Sequence, residues 1–280
     1  MKKIGLVPNQ IKDRGYHYTK RLISHCVQNG HTPQITEEIG IATGFLEYAV
    51  TEQVLFQQSD FIISLGGDGT LLGVGRKASY YNVPILGINL GTLGFLTTAE
   101  KESSEVAVDE VLSGQYTLEK RMLLQAKLEG KAEESIALNN ICITRAGVST
   151  ILEIRIYVND LYMDTLRADG VIVYTPTGST AYNLSAGGPI LQANGNMIGI
   201  TPIAAHTLTS RPFVLSAEDV IKLEVYSDKG ASYNLTADGQ EHLLLEDRTI
   251  IEITKAKNHV SIMKTKEQNF YDVLRQKLSR

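Results

Sequence analysis

No stretch of this 280-residue chain approaches the ~20 consecutive apolar residues that a membrane-spanning helix needs. Positive charge is not in excess either: 27 lysines and arginines face 31 aspartates and glutamates, a formal net charge of -4. A protein that coats duplex nucleic acid needs a basic face, so that class is excluded. Cysteine is scarce. Cys26 and Cys142 stand far apart with no CxxC spacing, so the expectation is two buried, reduced thiols in a cytosolic protein. The histidines, at positions 17, 25, 31, 206, 242 and 259, form no HExxH or HxxxH pair, which argues against a dedicated zinc site. Met1 to Asn9 holds too short an apolar stretch for a signal peptide core. A hydrophobic share of 43% with 21% charge is enough to fill a globular core. At about 150 residues per domain, the length suggests two domains.

The first hundred residues alternate between strand and helix patterns. Lys3 to Val7 reads as a short apolar strand, and Tyr18, Leu22, Ile23, Cys26 and Val27 then recur at helical spacing before Gly30, a C′ glycine. Phe45 to Gln58 repeats the helical pattern, while Phe61–Leu65 and Pro84–Ile88 read as buried strands. Val106 to Leu112 forms a further helix closed by Gly114. Such alternation predicts a parallel sheet with helices on its faces, an α/β domain over residues 1–115. Beyond residue 120 the texture changes. Ile154, Ile156 and Val158 alternate with polar neighbours and meet Asn159–Asp160, a turn signal. Strand-like runs follow at 171–174, 220–226, 232–236, 249–254 and 259–263, predicting a mainly β, sandwich-like domain over 116–264. Phe270, Leu274 and Leu278 share one face of a final helix over 265–280, expected to dock on a domain surface, that of the first domain being one choice.

From Gly170 to Ser210 there is no aspartate, glutamate, lysine or arginine. Pro176, Pro189 and Pro202 and the many Ser, Thr, Asn and Gly residues rule out a membrane segment. Uncharged polar side chains offer hydrogen bonds at a lower burial cost than charges. The run therefore reads as a wall facing a polar ligand or another subunit, with a plain packed core as the alternative.

The sharpest motif is Gly66-Gly67-Asp68-Gly69-Thr70, between the strand ending at Leu65 and the helical pattern from Leu71. Glycines let backbone N–H groups approach an anion without a Cβ in the way, and the next helix N-terminus adds positive potential for phosphate. Gly66, Gly67, Gly69 and Thr70 are accordingly the candidate phosphate-binding residues. The bland alternative is a turn in which Asp68 is a helix N-cap. There is no P-loop and no GxGxxG in the chain. Arg76 and Lys77, one to two turns further on, are as compatible with a solvated face as with phosphate contact and are left out of the site.

The loop resembles the one shared by NAD kinases, diacylglycerol-type lipid kinases and phosphofructokinases. The rest of the chain resembles NAD kinases: Gly87-Ile88-Asn89-Leu90-Gly91-Thr92-Leu93-Gly94-Phe95-Leu96 is similar to their second signature. Arg167-Ala168-Asp169-Gly170 and Thr175 to Pro189 are similar to the third, followed by Pro202 to His206, Ser210-Arg211-Pro212 and Asp238-Gly239 in the family's order. The resemblance implies phosphoryl transfer from ATP to the 2′-hydroxyl of the adenosine ribose of NAD. It also implies a divalent metal, usually Mg²⁺ with Mn²⁺ as a substitute, and a homo-oligomer, often a tetramer, with sites drawing on two subunits. Asp68 matches the catalytic aspartate. Gly69, Phe95, Asn139, Asn140, Asp169, Thr180, Tyr182, Asn183, Ser185, Ala205 and Asp238 match NAD-contacting positions, and no metal ligand is assigned. Asn140 departs from the pattern, standing where the family usually has glutamate, and so lacks that negative charge. Asp169 and Asp238 both precede glycine, and Tyr182 is an aromatic with a hydroxyl; ordinary turns and a core tyrosine are their alternatives. Two other functions stay open at this point: a lipid or sugar kinase sharing only the glycine loop, and a catalytically weak NAD-binding sensor, made thinkable by Asn140.

Overall fold

The computed structural model describes every residue except 93, 148–150, 208, 228–229, 266–269 and 279–280. Two compact units divide the chain: Met1–Lys120 with Val260–Arg280, and Arg121–His259.

In the first unit β1 (Lys3–Pro8) leads through α1 (His17–Gln28) to β2 (Thr32–Thr36), α2 (Glu37–Thr43) and the two-residue β3 (Ala49–Val50). Then come α3 (Glu52–Gln58), β4 (Phe61–Gly66), α4 (Asp68–Tyr81), β5 (Ile85–Asn89), β6 (Ala99–Glu100) and α5 (Ser104–Leu112). The strands lie parallel in the order β5-β4-β1-β2-β3. Every residue of β4 and β5 is buried, as a parallel sheet covered on both faces requires. Ile4, Leu6, Ile63, Leu65 and Ile88 pack with Leu22 and Cys26 of α1 and Val108 of α5. The chain steps outward from β1 to β2 and β3, then returns to lay β4 and β5 on the other side of β1. The topological switch thus falls between β1 and β4, and sheets of this kind bind ligands outside the strand ends at that point.

The helix expected over Phe45–Gln58 is shorter. Ala49 and Val50 instead extend beside β2, and Thr51 caps α3 by accepting the Val54 N–H. Backbone pairing with an edge strand overrides the helical spacing there. The sequence reading also missed β2 and α2, whose apolar residues are too few to carry a period.

The second unit is antiparallel. After β7 (Thr117–Leu128), which starts in the first unit, come β8 (Glu134–Ala137), β9 (Asn140–Arg145), β10 (Leu152–Val158), β11 (Leu161–Ala168) and β12 (Gly170–Tyr174). A single-turn α6 (Tyr182–Ser185) precedes β13 (Met197–Ile203), β14 (Phe213–Ser216), β15 (Ile221–Ser227), β16 (Tyr233–Ala237) and β17 (Glu241–Leu245). One sheet runs β14-β13-β12-β9-β16-β17; another has β15 beside β10 and β10 beside β11. Alternate residues of both, among them Ile141, Ile143, Val171 and Val173 opposite Ile154, Ile156, Leu223 and Val225, share one core, the pattern of a sandwich. Asn159 and Asp160 both have positive φ, the two-residue hairpin read from the sequence.

The runs 249–254 and 259–263 are one strand, β18 (Ile250–Lys264). Its first residues pair with β15 (Ile253 opposite Ile221), and Ile262 lies beside Ile85 of β5. That pairing returns residues 260–264 to the first unit. The final helix, α7 (Phe270–Leu278), buries Val273, whereas Leu278 is half exposed, so its packed face is turned from the one expected. Phe270 lies 6.3 Å from the Phe95 ring, and the Lys277 ammonium lies 4.9 Å from the same ring. No helix among the described residues is long and apolar enough to cross a membrane.

Cys26 and Cys142 are both buried and unpaired, and burial pushes each thiol up to about 12. At pH 8 only about one in ten thousand would be thiolate, the reactive form. Neither cysteine should therefore react with Ellman's reagent in the native protein, and both should react in denaturant; a fast native reaction at either would contradict this burial.

Candidate active site

The candidate residues of the first unit are placed where β1 and β4 end side by side, with Pro8 opposite Leu65. Gly67 caps α4 in an extended conformation, so Asp68 is the first helical residue rather than the N-cap of the bland reading. Its carboxylate turns to the second signature. Oδ2 accepts the Phe95 N–H at 2.8 Å, and Oδ1 accepts those of Leu96 at 3.1 Å and Thr97 at 3.4 Å. Only glycine fits at position 94, because a Cβ there would collide with Asp68 Oδ1. The Thr97 hydroxyl borders the same spot and is buried without a hydrogen-bond partner. Two motifs 27 residues apart in sequence are thus joined by one carboxylate.

The sequence reading missed the turn after β1. Asn9 Nδ2 donates to the Thr70 hydroxyl at 2.9 Å, while Asn9 Oδ1 accepts the N–H groups of Ile11 and Lys12. Those two donors fix which way the amide faces. The only available signal was position: the residue after the first strand of an α/β domain, beside the glycine loop. Of the two helix cations, Lys77 is held by Glu52. Phe95, expected at the NAD site, is half-buried beside α7.

In the second unit, Asn139, Asn140 and Asp238 meet at the start of β9, whereas Asp169 lies at its other end, beside Arg145. Asp238, at positive φ in the β16–β17 turn, accepts the N–H groups of Leu138 (2.8 Å), Asn139 (2.7 Å) and Asn140 (3.1 Å). These bonds make Asp238 the clamp that shapes the Asn139–Asn140 strand end. Asn139 is half-buried, while Asn140 is buried opposite Tyr174. Thr175 donates through its hydroxyl to Leu138 O and through its N–H to Asn139 O. Gly178 lies so close to the Asn139 backbone that no Cβ would fit.

Asp169, between β11 and β12, lies 3.0 Å from the Arg145 guanidinium and 3.9 Å from His206. Thr180 and Ala205 are half-buried, and Tyr182 and Ser185 are exposed. Partial burial, then nearby Cys142 and Asp169, holds the Tyr182 phenol above its ordinary value, so it is a neutral donor at pH 7. Asn183 differs from the expectation. It is fully buried, donating to Ser179 O and Pro189 O and accepting from Thr201 Oγ1, which makes it a strut beneath the wall. The chargeless run thus divides: Thr175, Ser179, Asn183 and Thr201 bond within the protein, and Thr180, Tyr182 and Ser185 reach the surface. Arg121, far from the run in sequence, is buried and donates to Ala193 O within it.

Among the described residues, no three His, Cys, Asp or Glu side chains converge as a metal-ligand set. A separate cavity of about 870 Å³ opens at the ends of β1, β2 and β3, lined by Pro8, Gln10, Glu37, Glu38 and Phe56 among others. It contains no residue of the glycine loop. Two of its carboxylates are already engaged, Glu38 by Gln10 and Glu52 by Lys77.

Removing the Asp238 carboxylate leaves three N–H groups to find other acceptors, a cost of about 2 kcal/mol. Asp238→Ala should lower the Tm by about 4–8 °C. Asp238→Asn, which keeps one acceptor oxygen, should fall between it and the wild type; equal melting of all three would remove the clamp.

Two family descriptions match the chain: the ATP-NAD kinase N-terminal domain over residues 4–116 and the ATP-NAD kinase C-terminal domain over residues 138–265. The NAD kinase of Thermoanaerobacter sp. (strain X514) is 43% identical over 282 residues, covering 100% of this chain and 99% of that protein. That of Acetivibrio thermocellus is 37% identical, covering 99% and 97%. Among solved structures, yeast NADH kinase complexed with NADH matches with a TM-score of 0.88 at 25% identity, covering 99% of this chain and 87% of that one. An NAD kinase from Archaeoglobus fulgidus in complex with ATP matches with a TM-score of 0.73 at 25% identity, covering 98% and 97%. With both of its units matched and full-length relatives above 40% identity, this chain belongs to the ATP-NAD kinase family.

Proposed function

We propose that the chain is an ATP-dependent NAD kinase, transferring the γ-phosphoryl group of ATP to the 2′-hydroxyl of the adenosine ribose of NAD to give NADP. The observation that carries this reading is the Asp68 carboxylate, held at the glycine loop by the N–H groups of the second signature. A lipid or sugar kinase sharing only that loop is not favoured, since the match extends over both units.

A carboxylate is a weak base for a ribose hydroxyl, so its help comes in the transition state and from fixing the attacking oxygen in line. Oδ2 accepts a single backbone bond and keeps a second lone pair to receive the 2′-hydroxyl proton. As that proton moves to Asp68, the ribose oxygen bonds to the γ-phosphorus and the bond to the β-phosphate oxygen breaks, releasing ADP. Gly66, Gly67 and Gly69 hold phosphate through the backbone of the glycine loop and the α4 N-terminus, and Thr70, whose N–H bonds to Gly67 O, does so through its hydroxyl. Because Asn9 donates to Thr70 Oγ1, the Thr70 hydroxyl proton is directed to another acceptor, a role a phosphate oxygen fills. In the second unit, Asn139, Asn140, Asp169, Thr180, Tyr182, Ser185 and Ala205 contact the dinucleotide. Asn183 and Asp238 act by shaping the segments that carry them.

A divalent cation that arrives on the nucleotide needs no dedicated cage of protein ligands. Mg²⁺ is held through one or two carboxylates plus substrate phosphates and keeps several waters. Mg²⁺, or Mn²⁺ in its place, therefore enters as part of the ATP substrate. The protein works as a homo-oligomer, a tetramer by the family pattern, in the cytoplasm.

The direct test incubates the protein with Mg·ATP and NAD and detects NADP through a dehydrogenase-coupled assay. Asp68→Asn should lower kcat by about a hundredfold or more while changing NAD affinity far less. Near-normal turnover would remove Asp68 from the proton-accepting role. Asn140, buried at the start of β9, keeps hydrogen-bonding groups without the negative charge of the usual glutamate. Asn140→Glu should raise the rate or lower the metal concentration needed; no change in either means that position 140 is only a strand end.

A further inference from the structure

The loop after β1 carries a cation that neither the motifs nor the family match single out. The Lys12 ammonium stands over Gly67, on the side where a Cβ would project: an atom placed there would be 2.5 Å from Lys12 Nζ. The corresponding point at Gly91, in the second signature, is 3.8 Å from the same nitrogen. Lys12 therefore lies across the first two signatures, at the end of the sheet where β1 and β4 meet.

This placement is held from both sides. Asn9 accepts the Lys12 N–H through its side chain and its carbonyl, and its own N–H donates to Leu65 O of β4 at 2.7 Å. On the far side Asp13 is buried and accepts the N–H groups of Tyr18 and Thr19 and the Thr19 hydroxyl, which ties the turn to α1. The backbone at residue 12 is thus anchored to the strand that ends in the glycine loop and to the helix that follows. The side chain itself is exposed. The segment after the second signature carries a polar group the protein leaves unsatisfied, the buried Thr97 hydroxyl beside Asp68.

We propose that Lys12 is a phosphate-gripping residue of the ATP site, pairing its ammonium with the β- and γ-phosphates that lie on the glycine loop. This rests on the kinase reading above. The chemistry is suited to it. ATP brings several negative charges beside Asp68, and backbone N–H groups alone offer only partial charges. A lysine on a flexible stem is a point charge that can follow the γ-phosphate as charge redistributes during transfer. Arg76 and Lys77 enter from α4, where Lys77 is held by Glu52; Lys12 enters from the strand-end crevice.

The test uses the full-length protein with Lys12→Met and Lys12→Arg, both at an exposed side chain. Lys12→Met should raise the KM for ATP by about ten- to hundredfold, the worth of a charge-assisted contact, and leave the KM for NAD unchanged. Lys12→Arg should retain most of the wild-type value. Calorimetric titration should show ADP bound more weakly by Lys12→Met, with AMP binding unaffected. An unchanged KM for ATP, an equal loss for both substrates, or equal weakening of ADP and AMP would overturn the proposal. Nucleotide binding is measured without turnover. If the wild type binds ADP better than Lys12→Met yet makes no NADP, the kinase reading fails and the Lys12 assignment stands. If NADP forms equally well in both at limiting ATP, the assignment fails and the kinase reading stands.

Discussion

Asp68 is bound before any substrate arrives. Three backbone N–H groups from residues 95–97 converge on its carboxylate, and position 94 must be glycine for them to come that close. A surface carboxylate would sample several rotamers, whereas this one is held in a single orientation by a loop that belongs to another signature. Positioning of this kind supplies much of what a phosphoryl-transfer site needs, because the reaction offers the protein little covalent chemistry to perform. The glycine loop, the Asn9 turn and the second signature are all arranged around that one group.

The second unit applies the same device with Asp238. Its carboxylate collects three backbone N–H groups at the start of β9, and Thr175 and Gly178 press the third signature onto the same segment. Acidic residues that a motif comparison would assign to substrate contact can therefore act one layer behind it. Asn183 is the same lesson in an amide: inside the protein each of its hydrogen-bonding atoms already has a partner. Burying uncharged polar groups is tolerable only when they bond to one another, and that is why the wall contains no charge.

Much of the fold was legible where a period was long or a strand was fully apolar. β4, β5, α1 and the Asn159–Asp160 hairpin follow directly from spacing and turn chemistry. The short elements were not: Ala49 and Val50 look helical until β2 is beside them, and β18 looks like two strands because its middle loses the apolar alternation. Of the candidate site, the glycine loop stood out by its spacing, and Asp68 stood out through the resemblance to the family. Asn9 and Lys12 were not, since nothing in Pro8-Asn9-Gln10-Ile11-Lys12 has a recognisable spacing.

What the residues determined by themselves was the chemistry at hand: a carboxylate among glycines, an uncharged polar run, two thiols without partners, and no basic face. These are local properties, set by side-chain type and by separation along the chain. Which of those groups face a ligand was decided only by tertiary structure. Hydrogen bonds across 27, 61 or 98 residues choose between contact and support, and no local pattern encodes them. The physical reason is that a polar side chain bonds to whatever donor the fold brings within about 3 Å, and only the packed sheet determines which donor that is.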